Sequence, residues 1–154
     1  MHHIFSAISR SYEYVILGEK DPFRNDMAFL MHEFHKLNVP KLNEAASLIR
    51  NYRDFSTFCK SDTDVATKIC EIQRSSWTIS DNELVYHIQA NRFLRGMVRL
   101  IVGMCLSVAL GKINLSEVTD ALESRRILTK NWSVPAKGLV LKDIKYPKEI
   151  RINS

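Results

Sequence analysis

The uncharged run LIVGMCLSVALG, at positions 100–111, constrains the fold of this chain more than any other segment. Twelve residues are too few to cross a bilayer, so the rest of the chain must bury them. The stretch NRFLRGMVRLIVG, residues 91–103, overlaps this run and is also mostly apolar. We therefore predict a core helix at 91–110, which stops at Gly111 because glycine is favoured just beyond a helix end.

Three arginines, Arg92, Arg95 and Arg99, lie in this predicted helix, three and four residues apart. At about 100° per residue they fall within about one-third of the helix circumference. Gly96 and Gly103 lie near the same face and are expected to let another backbone approach closely. Two alternatives stay open for Arg92 and Arg95. Each could bind an anionic partner, or its stem could cover apolar surface while its charged head reaches water.

Arg99 differs from the other two because apolar residues flank it on both sides. Burial does not neutralise a guanidinium group, so we expect a carboxylate or a phosphate as its partner. The helix itself contains no Asp or Glu. The partner of Arg99 must therefore come from elsewhere.

The whole chain, residues 1–154, is predicted to form a single α+β domain, with helices packed on a mixed or antiparallel sheet. Asn38 and Pro40 mark a helix start, and Asn114 with Glu117 forms a capping-box pattern. In chain order the pattern first predicts a strand at 4–17, a loop at 18–26 and a segment at 27–37 that is left open between strand and short helix. A helix at 38–52 and an irregular segment at 53–64 follow. The remaining elements are a hairpin of strands 66–80 and 83–90 with its turn at residues 81–82, a helix at 115–125 and a strand at 138–146.

The composition is that of a soluble globular domain, with 45% hydrophobic and 25% charged residues. The net charge of +5 permits an anionic partner without demanding one. Three widely spaced cysteines form no CxxC pair, which argues against a disulfide framework or a zinc site and favours a reduced, cytoplasmic protein. Met1-His2-His3 shows no signal-peptide character, and the sequence leaves open whether these residues are native or a tag remnant.

Motifs for self-contained catalysis are not found in this sequence. The segment HEFH at 32–35 places its histidines three apart, whereas a zincin HExxH motif needs four, so we predict no metal site. GxSxG and glycine-rich phosphate loops are also missing. On the first strand, Arg10, Tyr12 and Tyr14 share one face. That pattern suits base stacking and phosphate contact in RNA readers, but aromatic residues on strands are also common in ordinary cores. Taken by itself, the pattern favours the core.

Four segments taken together resemble the C-terminal half of the tRNA pseudouridine synthase A (TruA) family. They are ISRSYEY (8–14), RDFSTF (53–58), NRFLRGMVRLIVG (91–103) and VPAKGLVLKDIKYP (134–147). The resemblance implies a pseudouridine synthase-like fold and the isomerisation of uridine to pseudouridine at positions 38 to 40 of the tRNA anticodon stem-loop. It further implies no cofactor, no membrane association and a cytoplasmic homodimer that holds the tRNA across its subunits.

The same resemblance assigns roles to individual residues. Tyr12 would pack on the target base, Leu139 would line the opposite side of the base pocket, and Arg99 would form an ion pair with a catalytic aspartate. Each role suits the chemistry, because an apolar sandwich holds a flipped base and an arginine orients an ionised carboxylate. Arg10, Arg92 and Arg95 would be weaker RNA contacts.

The catalytic aspartate of the family lies in an RTDxGVHA segment of its N-terminal half, and this sequence contains no Asp-x-Gly. We therefore expect the chain to be a C-terminal portion that is inactive by itself. Two alternatives stay open. The first is a stand-alone RNA-binding module of the same fold that does not catalyse, and the second is a basic oligomerisation domain with no role in RNA binding.

Overall fold

The computed structural model describes residues 9–24, 26–60 and 67–146. The strands are β1 (Ser9–Leu17), β2 (Phe29–Leu30), β3 (Ile72–Ser80), β4 (Glu83–Ala90) and β5 (Leu139–Lys145). The α-helices are α1 (Val39–Leu48), α2 (Met97–Ala109) and α3 (Leu115–Ser124). Short 3-10 helices occur at His32–Lys36, Ile49–Asn51, Ser56–Phe58 and Ala136–Gly138.

The five strands form one mixed sheet with β1 near its centre. β4 pairs antiparallel with β1 along its length, from Arg10 opposite Ala90 to Leu17 opposite Glu83, and β3 pairs antiparallel with β4. On its other side, β1 pairs antiparallel with β5 over residues 9–14 and parallel with β2 at residues 16–17. The α+β class with a mixed sheet, predicted from the order of elements, is confirmed.

The core lies between one face of this sheet and the helices. The sheet contributes the alternate residues Tyr14 and Ile16 of β1 and Tyr86 and Ile88 of β4, all almost completely buried. Every residue of α2 except Arg99 and Leu100 is buried, which explains why its sequence is apolar all round. On the opposite face of the sheet, Val15, Leu17 and Ala28 form a separate small cluster.

The predicted helix starts at Asn38 and Asn114 are confirmed. The Asn38 side chain accepts a hydrogen bond from the backbone amide of Lys41 at 3.1 Å. Asn114 and Glu117 form the reciprocal capping box, in which the Asn114 side chain accepts from the Glu117 amide at 2.9 Å. These bonds satisfy amides that would otherwise have no partner within the helix.

Helix α1 covers the free edge of strand β3 through one side chain. Asn43 Oδ1 accepts from the Trp77 amide at 2.8 Å, and Asn43 Nδ2 donates to the Trp77 carbonyl at 3.2 Å. An edge strand presents unpaired amides and carbonyls that can pair with another chain. Asn43 therefore closes part of that edge.

The predicted start of the core helix at Asn91 is wrong, because α2 begins six residues later, at Met97. Gly96 has φ 72°, a left-handed conformation. A right-handed helix cannot pass through such a residue, so α2 cannot extend back from Met97 toward Asn91. Asn91 still belongs to the neighbourhood of the hairpin, since its Oδ1 accepts from the Glu71 amide at 2.8 Å. The helical face predicted to join Arg92, Arg95 and Arg99 therefore does not exist.

Other predicted boundaries move by a few residues. Residues 4–8 and 66, at the predicted strand starts, lie outside the described residues, and β3 begins only at Ile72. The ambiguous segment 27–37 contains both alternatives, the two-residue strand β2 and a 3-10 helix. In the irregular segment after α1, Phe55 and Phe58 are fully buried.

Candidate active site

Arg99 lies in the first turn of α2 and is bound to the loop before β5 by two hydrogen bonds. Its Nε donates to the carbonyl of Val134 at 2.7 Å, and the Val134 amide donates to the carbonyl of Arg99 at 3.3 Å. The bonds run in opposite directions, so the side chain and the backbone of Arg99 both hold residue 134. The half-buried guanidinium is thereby fixed in orientation.

The positive charge of Arg99 has no acidic partner within the part of the chain that the structure describes. Within the described residues, the Arg99 guanidinium donates one hydrogen bond, to a backbone carbonyl, and no Asp or Glu forms an ion pair with it. The first turn of α2 also contains no acid. A helix N-terminus carries about half a positive charge, so this end of α2 attracts an anion.

Tyr14 connects the same loop to the sheet. It is completely buried, and its hydroxyl donates to the carbonyl of Pro135 at 2.5 Å. Gly138 packs on the Tyr14 ring so closely that a Cβ on Gly138 would lie 2.7 Å from Cζ of the ring. Burial raises the pKa of Tyr14, and the nearby charge of Arg99 offsets only part of that rise, so the hydroxyl keeps its proton.

Gly103 lets α2 touch the loop directly. A Cβ on Gly103 would lie 1.5 Å from the carbonyl oxygen of Trp132. The predicted close backbone approach at this glycine is thus confirmed. At Gly96 a Cβ would instead meet the side chain of Lys60 at 2.9 Å.

Tyr12 and Leu139 lie on the helix-covered face of adjacent strands, and both are half-buried. In the β1–β5 register Tyr14 is opposite Leu139 and Tyr12 is opposite Leu141, so Tyr12 and Leu139 are diagonal neighbours. The Cα atoms of such neighbours are about 7–8 Å apart. The Tyr12 ring packs edge-on against Phe93, with ring centres 5.2 Å apart.

The three arginines predicted as weaker RNA contacts occupy different surroundings. Arg92 is half-buried, and its Nη1 donates to the carbonyls of Thr67 at 3.0 Å and Ile69 at 3.4 Å. Arg10, on β1, and Arg95, just before α2, are exposed. The described contacts thus join Arg99 and Leu139 around Tyr14 but do not link these three arginines to that cluster.

The sequence analysis placed Tyr14 on a strand face that could contact RNA but gave it no role of its own. It gave no role to Val134, Pro135 or Gly138. A signal was present, because Tyr14 follows Tyr12 by two residues and VPAKG immediately precedes Leu139. What the sequence could not indicate was that β1, α2 and this loop meet.

Among the residues that the structure describes, no group of three His, Cys, Asp or Glu side chains could hold a metal ion. His32 and His35 of the HEFH segment are exposed, on a 3-10 helix. No helix in the described ranges has the length and apolar character needed to span a membrane.

Comparison with known proteins gives a consistent family. A family model described as tRNA pseudouridine synthase matches residues 52–147, more than half of the chain. Curated relatives named tRNA pseudouridine synthase A are 38% identical over 149 residues in Azobacteroides pseudotrichonymphae genomovar. CFP2, 39% over 150 in Bacteroides fragilis and 33% over 145 in Bacillus subtilis (strain 168). The alignments cover 94–97% of this chain and 59% of each relative, so the chain spans about three-fifths of their length. This chain belongs to the tRNA pseudouridine synthase family.

Proposed function

We propose that this chain is the C-terminal, substrate-binding part of an enzyme that isomerises uridine to pseudouridine at positions 38 to 40 of the tRNA anticodon stem-loop. The observation that carries the proposal is Arg99, whose charge lies at the N-terminal end of α2 without a described acidic partner. A catalytic aspartate from the part of the longer relatives that lies outside the alignment would complete the site.

In this proposal Arg99 orients the aspartate and keeps it ionised. The bond from Nε to Val134 leaves the two terminal nitrogens of the guanidinium for a carboxylate. A neighbouring cation lowers the pKa of a carboxyl group, and an ionised carboxylate is what a nucleophile or a base requires.

Tyr12 and Leu139 would hold the uracil between them. The two residues are diagonal neighbours on adjacent strands, with Cα atoms about 7–8 Å apart, and their side chains project from the same face of the sheet. In the proposal the flat uracil ring lies between the phenol ring and the leucine side chain. Contacts of this kind hold a base without reading its identity.

The isomerisation breaks the bond between N1 of uracil and C1′ of the ribose and forms a bond between C5 and C1′. C5 loses its proton to solvent and N1 gains one, so atoms and electrons balance without a redox cofactor. The aspartate acts first, by attack or by proton abstraction, and the freed uracil then rotates before it is reattached. Arg99 and Tyr12 support these steps.

The RNA backbone would be held by positive charge. The sequence carries a net charge of +5, and Arg10 and Arg95 are exposed. Arg92 is a weaker candidate because its guanidinium already binds two carbonyls.

We further propose a cytoplasmic homodimer with the tRNA held across both subunits.

The experiment measures the release of tritium from tRNA labelled at C5 of uridine. The gene product is assayed alone and together with the N-terminal part of the Bacteroides fragilis relative, which would supply the aspartate. We expect Arg99→Ala to lower turnover at least about 100-fold, since removing one partner of a buried charge pair costs about 3–5 kcal/mol. Arg99→Lys keeps the charge without the planar fork and should give an intermediate rate.

Near-normal turnover by Arg99→Ala would contradict the role of Arg99. Binding to an anticodon stem-loop is measured in parallel at about 50 and 200 mM salt, because phosphate contacts weaken steeply with salt. Salt-dependent binding without turnover under either condition would favour a non-catalytic RNA-binding module. The absence of both would favour a role in oligomerisation.

A further inference from the structure

Two consecutive carbonyls of the loop before β5 are each held by a side chain from a different element. The carbonyl of Val134 accepts from Arg99 of α2, and the carbonyl of Pro135 accepts from Tyr14 of β1. Because the two acceptors belong to adjacent residues, a shift of one moves the other. The loop thus couples the Tyr14 hydroxyl to the Arg99 guanidinium.

Tyr14 contacts this part of the chain at three points. Its hydroxyl holds Pro135, its ring packs against Gly138, and its backbone is opposite Leu139 in the β1–β5 register. Only a glycine fits at 138, since any Cβ there would overlap the ring. The path from residue 135 to Leu139 therefore follows the position of Tyr14.

The surroundings of Tyr14 favour a fixed hydrogen bond over proton transfer. The side chain is completely buried, so the hydroxyl cannot exchange its partner for bulk water. The raised pKa keeps the hydroxyl protonated, and its proton points to the Pro135 carbonyl. Tyr14 can hold that carbonyl in place, but it does not offer an acid or a base to the substrate.

We propose that Tyr14 is a positioning residue, whose hydroxyl, through the Pro135 carbonyl, holds both Arg99 and Leu139 in the geometry that the reaction needs. This inference deepens the proposed function. Its test by turnover rests on the proposed function, whereas its test by hydrogen exchange does not.

The test compares Tyr14→Phe with Tyr86→Phe, a closely matched control. Tyr86 lies opposite Tyr14 in the β1–β4 register and is equally buried, and its hydroxyl is 2.6 Å from Oγ of Ser75. Each variant removes one buried hydroxyl and its hydrogen bond while the ring remains. Of these two hydroxyls, that of Tyr14 is hydrogen-bonded to the loop before β5 and that of Tyr86 is hydrogen-bonded to β3.

The first readout is the solvent exchange of the Arg99 Nε proton, measured by NMR on the 15N-labelled chain and assigned with Arg99→Lys. Exchange of a hydrogen-bonded proton requires local opening. We expect Tyr14→Phe to speed this exchange at least about fivefold and Tyr86→Phe to change it less than about twofold. Equal exchange in the two variants would overturn the proposal.

The second readout is turnover by the chain combined with the N-terminal part of the Bacteroides fragilis relative. We expect Tyr14→Phe to lower kcat about tenfold with KM for tRNA nearly unchanged, because small displacements of a reacting group are costly. A merely structural role predicts the same small effect for both variants, and that result would also overturn the proposal. A wild-type enzyme without any turnover would refute the proposed function, and the exchange comparison would still decide the role of Tyr14.

Discussion

Replacement of Gly103 by alanine is expected to destabilise this protein, although Gly103 lies inside a helix. In a helix interior alanine is normally favoured over glycine by about 1 kcal/mol. Here the new Cβ would lie 1.5 Å from the carbonyl oxygen of Trp132 and 2.6 Å from its carbonyl carbon. Contacts below 3.0 Å are essentially never seen, so the loop backbone must retreat from α2 by about 1.5 Å.

The size of the effect follows from what the loop would lose. A retreat at Trp132 would act on the hydrogen bonds two and three residues further along the loop, from Arg99 to Val134 at 2.7 Å and from Tyr14 to Pro135 at 2.5 Å. A buried polar group left without its partner costs about 1–3 kcal/mol. Two such losses, less the gain in helix propensity, give a net decrease in the free energy of unfolding of about 3 kcal/mol.

Urea unfolding followed by circular dichroism and tryptophan fluorescence measures this decrease. With a denaturant slope of about 1–3 kcal/mol per molar urea, the midpoint should fall by about 1–3 M. Gly111→Ala is the control, since its Cβ would meet no atom within 4 Å and its cost comes only from φ 76°. That cost is about 1–2 kcal/mol. A Gly103→Ala variant as stable as the wild type, or more stable than Gly111→Ala, would refute the argument.

Two further changes test the sheet edge and the segment after α1. Asn43→Ala removes both hydrogen bonds to Trp77, so we expect the free energy of unfolding, measured in urea, to fall by about 1–3 kcal/mol. Light scattering on heating should increase because the edge of β3 is uncovered. An unchanged urea midpoint would contradict this. Burial alone would raise the pKa of Asp54, but hydrogen bonds from Ser56 and the charge of Arg125 lower it below its ordinary value. A lowered folded-state pKa stabilises above the unfolded pKa of about 4, and this stabilisation is lost as the pH falls through the folded-state value. Asp54→Asn should therefore cost about 1 kcal/mol at pH 7 and less near pH 2, and an equal cost at both pH values would show that the charge does not matter.

Much of the fold could be predicted because local chemistry decides it. Asn38 and Asn114 cap their helices as expected, since the side-chain oxygen of a capping residue reaches amides only three positions away. The hairpin turns at Asp81, whose φ is 45°. Alternation placed Tyr12 and Tyr14 on one face of β1, and the β1–β4 register confirms that both lie on the face that packs against the helices.

The start of α2 could not be predicted in the same way. The residues around Gly96 suit a helix by hydrophobic pattern, but Asn91 and Arg92 are engaged by carbonyls and amides of residues 67–71. The residues in these contacts are 20 to 25 positions apart in the sequence, so the hydrophobic pattern within one segment cannot show them. The consequence for the site is large, because Arg99 alone of the three arginines belongs to the helix.

The sequence by itself determined the apolar helix, the capping residues and the order of elements, because each depends on neighbours a few positions away. It also predicted a carboxylate or a phosphate as the partner of Arg99, and that stays a prediction. Only the tertiary structure decided which partner Arg99 has and which residues surround it. Val134 lies 35 positions from Arg99, and Pro135 lies 121 positions from Tyr14. Contacts between such distant residues depend on the packing of whole elements, and the absence of a side chain at Gly103 and Gly138 is what allows that packing.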